Sequence, residues 1–152
     1  MRNMLPMTLM ETIHSPLIHN EDVFSPALRI GDFIFISAQN ASGSEGYKPS
    51  MDILLQTQIS LKNVLNLLRE TMNQPSAVIR LNVTAVRESD IPVIRSVLAK
   101  AFVEPYPVIE ITGAAFLEHG CAVQISALAA DAFRIAQMQA QPLGCEGCER
   151  RG

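Results

Sequence analysis

Apolar side chains recur at helical spacing in two segments of the chain. Between residues 52 and 72 they lie three, four and seven residues apart, which predicts a long amphipathic helix packed on a sheet. The apolar positions of this helix are Leu54, Leu61, Leu65, Leu68 and Met72. A second stripe follows the capping candidates Ser89 and Asp90 and predicts a second helix. Its apolar positions are Ile91, Ile94, Leu98 and Phe102.

Strand patterns occupy most of the remaining chain. Phe33–Ile36 is aromatic or β-branched at every position, which predicts a central strand covered on both faces. Between residues 78 and 86, apolar Ile79, Leu81, Val83 and Ala85 alternate with polar residues. Further strand candidates are 16–19, a segment starting near Val23, 108–116 and 122–129. The order βββαβαββ predicts an α+β fold with both helices on one face of a mixed sheet.

Composition and charge indicate one domain and argue against a nucleic-acid ligand. The 152 residues, 48% of them hydrophobic, can form one full core but not two. We therefore expect a single domain over residues 1–133 and a C-terminal tail over 134–152. The net charge of -3 provides no basic surface for a nucleic acid. No apolar run reaches the roughly 18 residues of a membrane span, so we expect a cytoplasmic protein with neither a nucleic-acid nor a membrane partner.

The cysteines and histidines suggest no metal or redox centre. Cys145 and Cys148 have the spacing of half a zinc site, but a closed site needs four ligands, and only His119 and Cys121 are convenient further candidates. A tail with reduced thiols is the simpler interpretation. His14 and His19, near the first predicted strand, are interpreted as surface or interface residues. No metal or organic cofactor is implied.

Several short sequence motifs occur together along most of the chain. Phe24–Gln39 reads as two short strands joined by a Gly-Asp turn and ending in Ser-Ala-Gln; Asn82-Val83, Asp90 and Phe102 follow in order. On these residues, positions 16–130 resemble the Rid proteins (reactive intermediate deaminases, also called YjgF-like). The resemblance implies a chorismate-mutase-like fold and a homotrimer with a barrel-like core. It also implies three ligand clefts, each built from two chains.

Two departures from the Rid pattern concern the residues that would bind and hydrolyse a substrate. In deaminating members, an arginine before the penultimate strand binds the substrate carboxylate. Here Tyr106, an uncharged phenol near neutral pH, is the closest positional match, so the chain resembles a divergent member that lacks this arginine. Those members also carry a Glu-x-Glu pattern in the last strand. Gln124 and Ser126 replace it, and neither is a general base near neutral pH without an activating group.

The resemblance implies a protein that binds a small imine, enamine or carbonyl metabolite, and that is not a standard 2-iminobutanoate or 2-iminopropanoate deaminase. The expected ligand-binding residues are Phe24, Ser25, Gln39 and Tyr106. The expected catalytic candidates are Tyr106, Glu110, Gln124 and Ser126. Glu110 and Glu118 are more simply interpreted as solvated charges than as a carboxylate pair.

Two alternatives remain open. The first is an active hydrolase, a deaminase or cyclase of altered imines or enamines, in which Glu110 or the substrate's own amine activates water. The second is a non-catalytic regulatory or interaction protein whose tail recruits a partner.

Overall fold

The structure, a computed structural model, describes residues 10–18 and 23–140. Its strands form one six-stranded mixed sheet in the order β1-β2-β3-β6-β4-β5. The strands are β1 (Met10–Ile13), β2 (Ala27–Ile30), β3 (Phe33–Gln39), β4 (Val78–Ala85), β5 (Val108–Gly113) and β6 (Val123–Ala130). The α-helices of the described residues are α1 (Ile53–Arg69), α2 (Ile91–Ala101) and α3 (Ala132–Ala140). Strands β4 and β5 are parallel, and every other neighbouring pair is antiparallel. The predicted α+β fold class is confirmed.

Helix α1 lies on the central strands β3 and β6 and contacts α2 beside it. Val64, Leu67 and Leu68 are fully buried against sheet residues such as Ile34 and Ile125. Burying each of these side chains contributes roughly 1.5–3 kcal/mol. The predicted stripe is wrong at its ends. Leu54 is exposed, and Met72 lies beyond the end of α1 with φ 62°, so its side chain leaves the helical face.

The first strand was predicted in the wrong place. Pro16 and Leu17 form a turn and Ile18 a bend, while β1 lies earlier in the chain and pairs with β2. The side chain and carbonyl of Ser15 explain this difference. The Leu17 N–H donates to Ser15 Oγ at 3.2 Å, and the Ile18 N–H donates to the Ser15 carbonyl at 3.1 Å. His19 lies outside the described residues.

Strand β3 is central, but the helices cover only one of its faces. Ile34 and Ile36 are buried beneath the helices, whereas Phe33 and Phe35 are 47% and 48% exposed. The prediction of a strand covered on both faces therefore does not hold within the described chain. We call the uncovered side of the sheet, which carries Phe33 and Phe35, the open face.

The alternation predicted for β4 is interrupted at its start. The register of β4 against β6 shifts between Val78 and Arg80. This irregularity buries Val78 and leaves Ile79 exposed, although Ile79 was predicted to share a face with Leu81. From Leu81 onward the alternation follows the prediction.

Asp131 attaches helix α3 to the sheet. Its buried carboxylate accepts hydrogen bonds from Asn73 Nδ2 at 3.0 Å and from the Arg134 N–H at 3.1 Å. The second bond is the usual side-chain cap of a helix N-terminus. Arg134 also donates to the Gly31 carbonyl at 3.0 Å. The first seven residues of the predicted C-terminal tail, 134–140, therefore belong to helix α3, and residues 141–152 lie outside the described part.

Candidate functional site

Polar side chains form two rows on the open face, across strands β5, β4 and β6. The register aligns Glu110 with Asn82, and Asn82 with Ser126. Leu81 and Val83, on either side of Asn82, are buried beneath the helices. Because successive side chains of a strand point to opposite faces, Asn82 and its partners face the open side. The sheet therefore brings together Glu110 and Ser126, two of the predicted catalytic residues.

The next row on the same face contains Thr112, Thr84 and Gln124. Glu110 is the one carboxylate in the two rows, and the other five side chains are neutral amides and hydroxyls. The rows thus present several hydrogen-bond donors and acceptors around a single candidate acid–base group.

Tyr106 lies on the other side of edge strand β5. It borders a cavity of about 300 Å³ between α2 and the segment that enters β5. We call this space the α2 cavity; its lining residues are Arg95, Leu98, Ala99, Phe102, Tyr106, Pro107 and Ile109. Ile109 and Glu110 are adjacent on β5 and point to opposite faces. Strand β5 therefore separates the α2 cavity from Glu110.

Phe24 and Ser25 lie near the opposite edge of the sheet, just before β2, which is the neighbour of edge strand β1. Phe24 is 78% exposed, and the Ser25 hydroxyl is 3.3 Å from the Thr12 hydroxyl on β1. Four strand spacings separate β2 from β5 in the sheet order, which corresponds to about 19 Å across the strands. One small ligand cannot contact both edges of the same chain.

Gln39 is separated from the polar rows by a β-bulge. The register of β3 against β6 shifts between Ile36 and Gln39, so Gln39 pairs with Ile125 on the helix side. Its side-chain amide donates to Ser37 Oγ at 3.0 Å. Gln39 is thus buried on the face opposite Gln124 and Ser126.

The loop before α1 packs against the turn between β5 and β6. The Tyr47 hydroxyl donates to the His119 carbonyl at 2.8 Å. Burial, and secondly the neighbouring thiol of Cys121, raise the pKa of Tyr47 to about 12. Cys121 is buried with a free thiol. Within residues 10–18 and 23–140, no cluster of three or more His, Cys, Asp or Glu could hold a metal ion. Cys145 and Cys148 lie outside these ranges.

A second cavity, of about 350 Å³, lies at the carboxyl ends of β4 and β5. Its charged residues are Arg87 and Glu88, and Arg87 Nε lies 3.2 Å from Asp90 Oδ2. No function was predicted from the sequence for this region or for Arg95. For Arg95 a signal was available, because Arg95, Leu98, Ala99 and Phe102 follow the i, i+3, i+4, i+7 spacing of one helical face.

The family profile decides the assignment. The profile described as Endoribonuclease L-PSP matches residues 15–131, more than half of the chain. The chain belongs to the L-PSP family. This is the YjgF/RidA family, so the resemblance inferred from the sequence is confirmed at family level. No curated protein matched this L-PSP-family chain.

Several solved structures share the fold of this chain. RidA from the Antarctic bacterium Psychrobacter sp. is 22% identical, with a TM-score of 0.72 over 79% of this chain and 98% of its own. E. coli TdcF, solved with bound serine, is 19% identical, with a TM-score of 0.70 over 79% of this chain and 98% of its own. A Pseudomonas aeruginosa protein of unknown function is 20% identical, with a TM-score of 0.74 over 81% of this chain and 93% of its own. No helix within the described ranges is long and apolar enough to cross a membrane.

Proposed function

We propose that this L-PSP-family protein is a homotrimer that binds a small metabolite in clefts between its subunits. The separation of the expected ligand-binding residues carries the proposal. Phe24 and Ser25 lie near one edge of the sheet and Tyr106 near the other, about 19 Å apart across the strands. A cleft that contains both groups needs a second chain.

The exposed apolar residues of the open face support an assembly. Phe33 and Phe35 are both more than 45% exposed, and Ile30, which is 38% exposed, lies beside Phe33 in the paired strand. Contiguous exposed apolar surface of this kind is typical of interaction sites. Packing the open faces of three chains together would bury these side chains and enclose the polar rows.

The polar rows support an imine, enamine or carbonyl compound as the ligand. Asn82, Gln124 and Ser126 can donate hydrogen bonds to a carbonyl oxygen or an imine nitrogen, and can accept one from an enamine. The relative TdcF was solved with serine, a ligand of similar small size. We further propose a cytoplasmic location without nucleic-acid or membrane partners, in keeping with the net charge of -3.

We also propose that the protein is not a standard 2-iminobutanoate or 2-iminopropanoate deaminase. Tyr106 takes the position of the expected arginine, and Gln124 and Ser126 leave β6 without a carboxylate in the polar rows. The test is to add purified protein to a fresh mixture of an amino-acid oxidase and its substrate, and to follow imine decay. We expect the uncatalysed rate. Clear acceleration with aliphatic imino acids would contradict this part of the proposal.

One observation favours the alternative of an enzyme with altered chemistry. Glu110 lies in the same row as Asn82 and Ser126, where a carboxylate could take a proton from a water held by the two neutral side chains. The substrate would then be an imine or enamine other than the aliphatic imino acids.

A further inference from the structure

The open face carries one positive and one negative side chain among its strand residues. Arg80 lies on this face because Leu81, the next residue of β4, is buried beneath the helices and successive side chains alternate. Glu110 lies on it in the row of Asn82. In the six strands of the described chain, every other residue of the open face is apolar or neutral.

Arg80 lies where the apolar and the polar parts of the open face meet. The register aligns it with Leu128 of β6, and Leu128 with Phe35 of β3. Glu110 belongs to the next row, on the neighbouring strand β5. Both charged side chains are exposed in the single chain. An assembly that covers this face from β3 to β5 therefore buries both charges.

Neither charge has a counter-ion within the described residues. No hydrogen bond from the side chain of Arg80 or to that of Glu110 is present there either. The ion pairs of the described chain join Arg29 to Glu11 and Asp131, and Arg87 to Asp90. Burying a charge alone costs far more free energy than burying it beside an opposite charge. An interface on the open face therefore needs an opposite charge next to each of the two side chains.

We infer that the open face binds a second copy of this chain through an ion pair between Arg80 of one copy and Glu110 of the next. In a ring of three copies the interface is heterologous, so two different parts of the face meet and the same pair can repeat at each interface. A guanidinium can donate two parallel hydrogen bonds to one carboxylate. The contact thus compensates both charges without any further residue.

This inference rests on the proposed function, because it names the contact that holds the proposed subunits together beside their clefts. Glu110 shares its row with Asn82 and Ser126, so a copy anchored at Glu110 lies against the polar rows. The ion pair thereby positions the second chain of each cleft. It also engages the one carboxylate of the polar rows, which weighs against the alternative in which Glu110 activates water.

The experiment uses Arg80→Gln and Glu110→Gln, each of which removes one charge. Sedimentation velocity of the full-length protein gives the midpoint of assembly, the total chain concentration at which half of the chains are trimeric. Each substitution should raise the midpoint roughly tenfold or more, because the remaining charge is then buried without its partner. The double variant Arg80→Gln/Glu110→Gln should assemble at a lower concentration than either single variant, since it leaves no charge unpaired.

Mixing the two single variants distinguishes a contact between chains from a contact within one chain. In a mixed trimer, one interface regains the ion pair, one joins two glutamines, and only one contains an unpaired charge. We expect the midpoint of an equal mixture to lie roughly tenfold below that of either variant alone. A pair formed within each chain could not be restored by mixing.

Arg95→Gln is the matched control. It removes the same charge from an exposed position of α2, away from the open face, and should leave the midpoint within about twofold of the wild type. If the wild type is trimeric, an unchanged midpoint in Arg80→Gln, or a mixture that assembles no better than its components, would overturn the inference and leave the proposed assembly intact. A monomeric wild type would overturn both.

Discussion

The Nε atom of Arg29 lies 2.9 Å from Oδ2 of Asp131, whose side chain is completely buried. The two atoms are in ionic contact but form no aligned hydrogen bond within the described residues. Asp131→Ala would leave Arg29 and Asn73 without this partner and remove the cap of α3. We expect the free energy of unfolding to fall by about 3 kcal/mol, as measured by urea denaturation.

Glu11→Ala is the control for this change. Glu11 contacts the same Arg29 at 2.9 Å, but its side chain is 62% exposed. Because solvent screens such a pair, the free energy of unfolding should fall by less than about 1 kcal/mol. If both variants lost the same free energy of unfolding, burial of Asp131 would not explain its contribution.

Gln56 joins the start of α1 to the start of β6. Its amide nitrogen donates to the Met51 carbonyl at 2.8 Å, and its amide oxygen accepts from the Ala122 N–H at 3.0 Å. Gln56→Met keeps the size of the side chain but leaves both backbone groups without these bonds. We expect the free energy of unfolding, measured by urea denaturation, to fall by about 2 kcal/mol. Gln58→Met, at an exposed position of the same helix, should change stability by less than about 0.5 kcal/mol; a similar loss there would disprove the explanation.

Tyr47 should make stability depend on alkaline pH. Its pKa is raised from 10.0 to about 12 in the folded chain, mainly by burial. The fold therefore favours the neutral phenol, and this contribution is present below pH 10 and lost as the pH rises towards about 12. Over that interval the free energy of unfolding of the wild type should fall relative to that of Tyr47→Phe, so that the difference between the two proteins narrows or changes sign. Tyrosinate absorbance should show the late titration in the wild type alone, and its persistence in Tyr47→Phe would refute the assignment.

Phe35→Glu should dissociate the proposed trimer. The side chain is 48% exposed in the centre of the open face, and a carboxylate there would have to be buried without a partner on assembly. We expect sedimentation velocity to show a monomer. Leu54→Glu introduces the same charge at an exposed apolar position of α1, away from the open face, and should leave the assembly intact. A Phe35→Glu variant that remains trimeric would exclude the open face as the interface.

Glu110→Gln tests the alternative of an enzyme with altered chemistry. If Glu110 is the general base for an unusual imine or enamine, the substitution should lower the turnover rate by roughly 100-fold or more while the side chain keeps its size. Turnover of a panel of aromatic and uncharged imines is the measurement. Glu118→Gln, in the exposed turn before β6, should have no effect. Undiminished activity in Glu110→Gln would remove Glu110 from the mechanism.

Local periodicity predicted most elements correctly. The stripes of α1 and α2 and the alternation of β4 are set by short-range repeats that the sequence displays directly. Strand β1 was misplaced because the short segment 10–13 carries little pattern of its own, whereas Pro16–Ile18 is apolar enough to imitate a strand. Its position depends on pairing with β2, and that is a long-range contact.

Less of the candidate site than of the fold could be predicted from the sequence, because the site depends on tertiary structure. The residue types at Tyr106, Glu110, Gln124 and Ser126 are visible in the sequence, but their grouping is not. Register aligns Glu110 and Ser126 with Asn82, and the position of α2 brings Arg95 to the cavity that Tyr106 borders. Gln39 was assigned to the ligand cleft, and the structure places it on the opposite face of the sheet.

The sequence by itself determined the order of the elements, the helical faces and the family, because these are encoded by residue spacing and short motifs. Only the tertiary structure decided which side chains share a surface. A bulge of one residue turned Gln39 to the helix side, since side chains alternate with a period of two and a single shift reverses the face. Sheet order likewise placed Phe24 and Tyr106 near opposite edges, because strand pairing joins segments that are far apart in the chain.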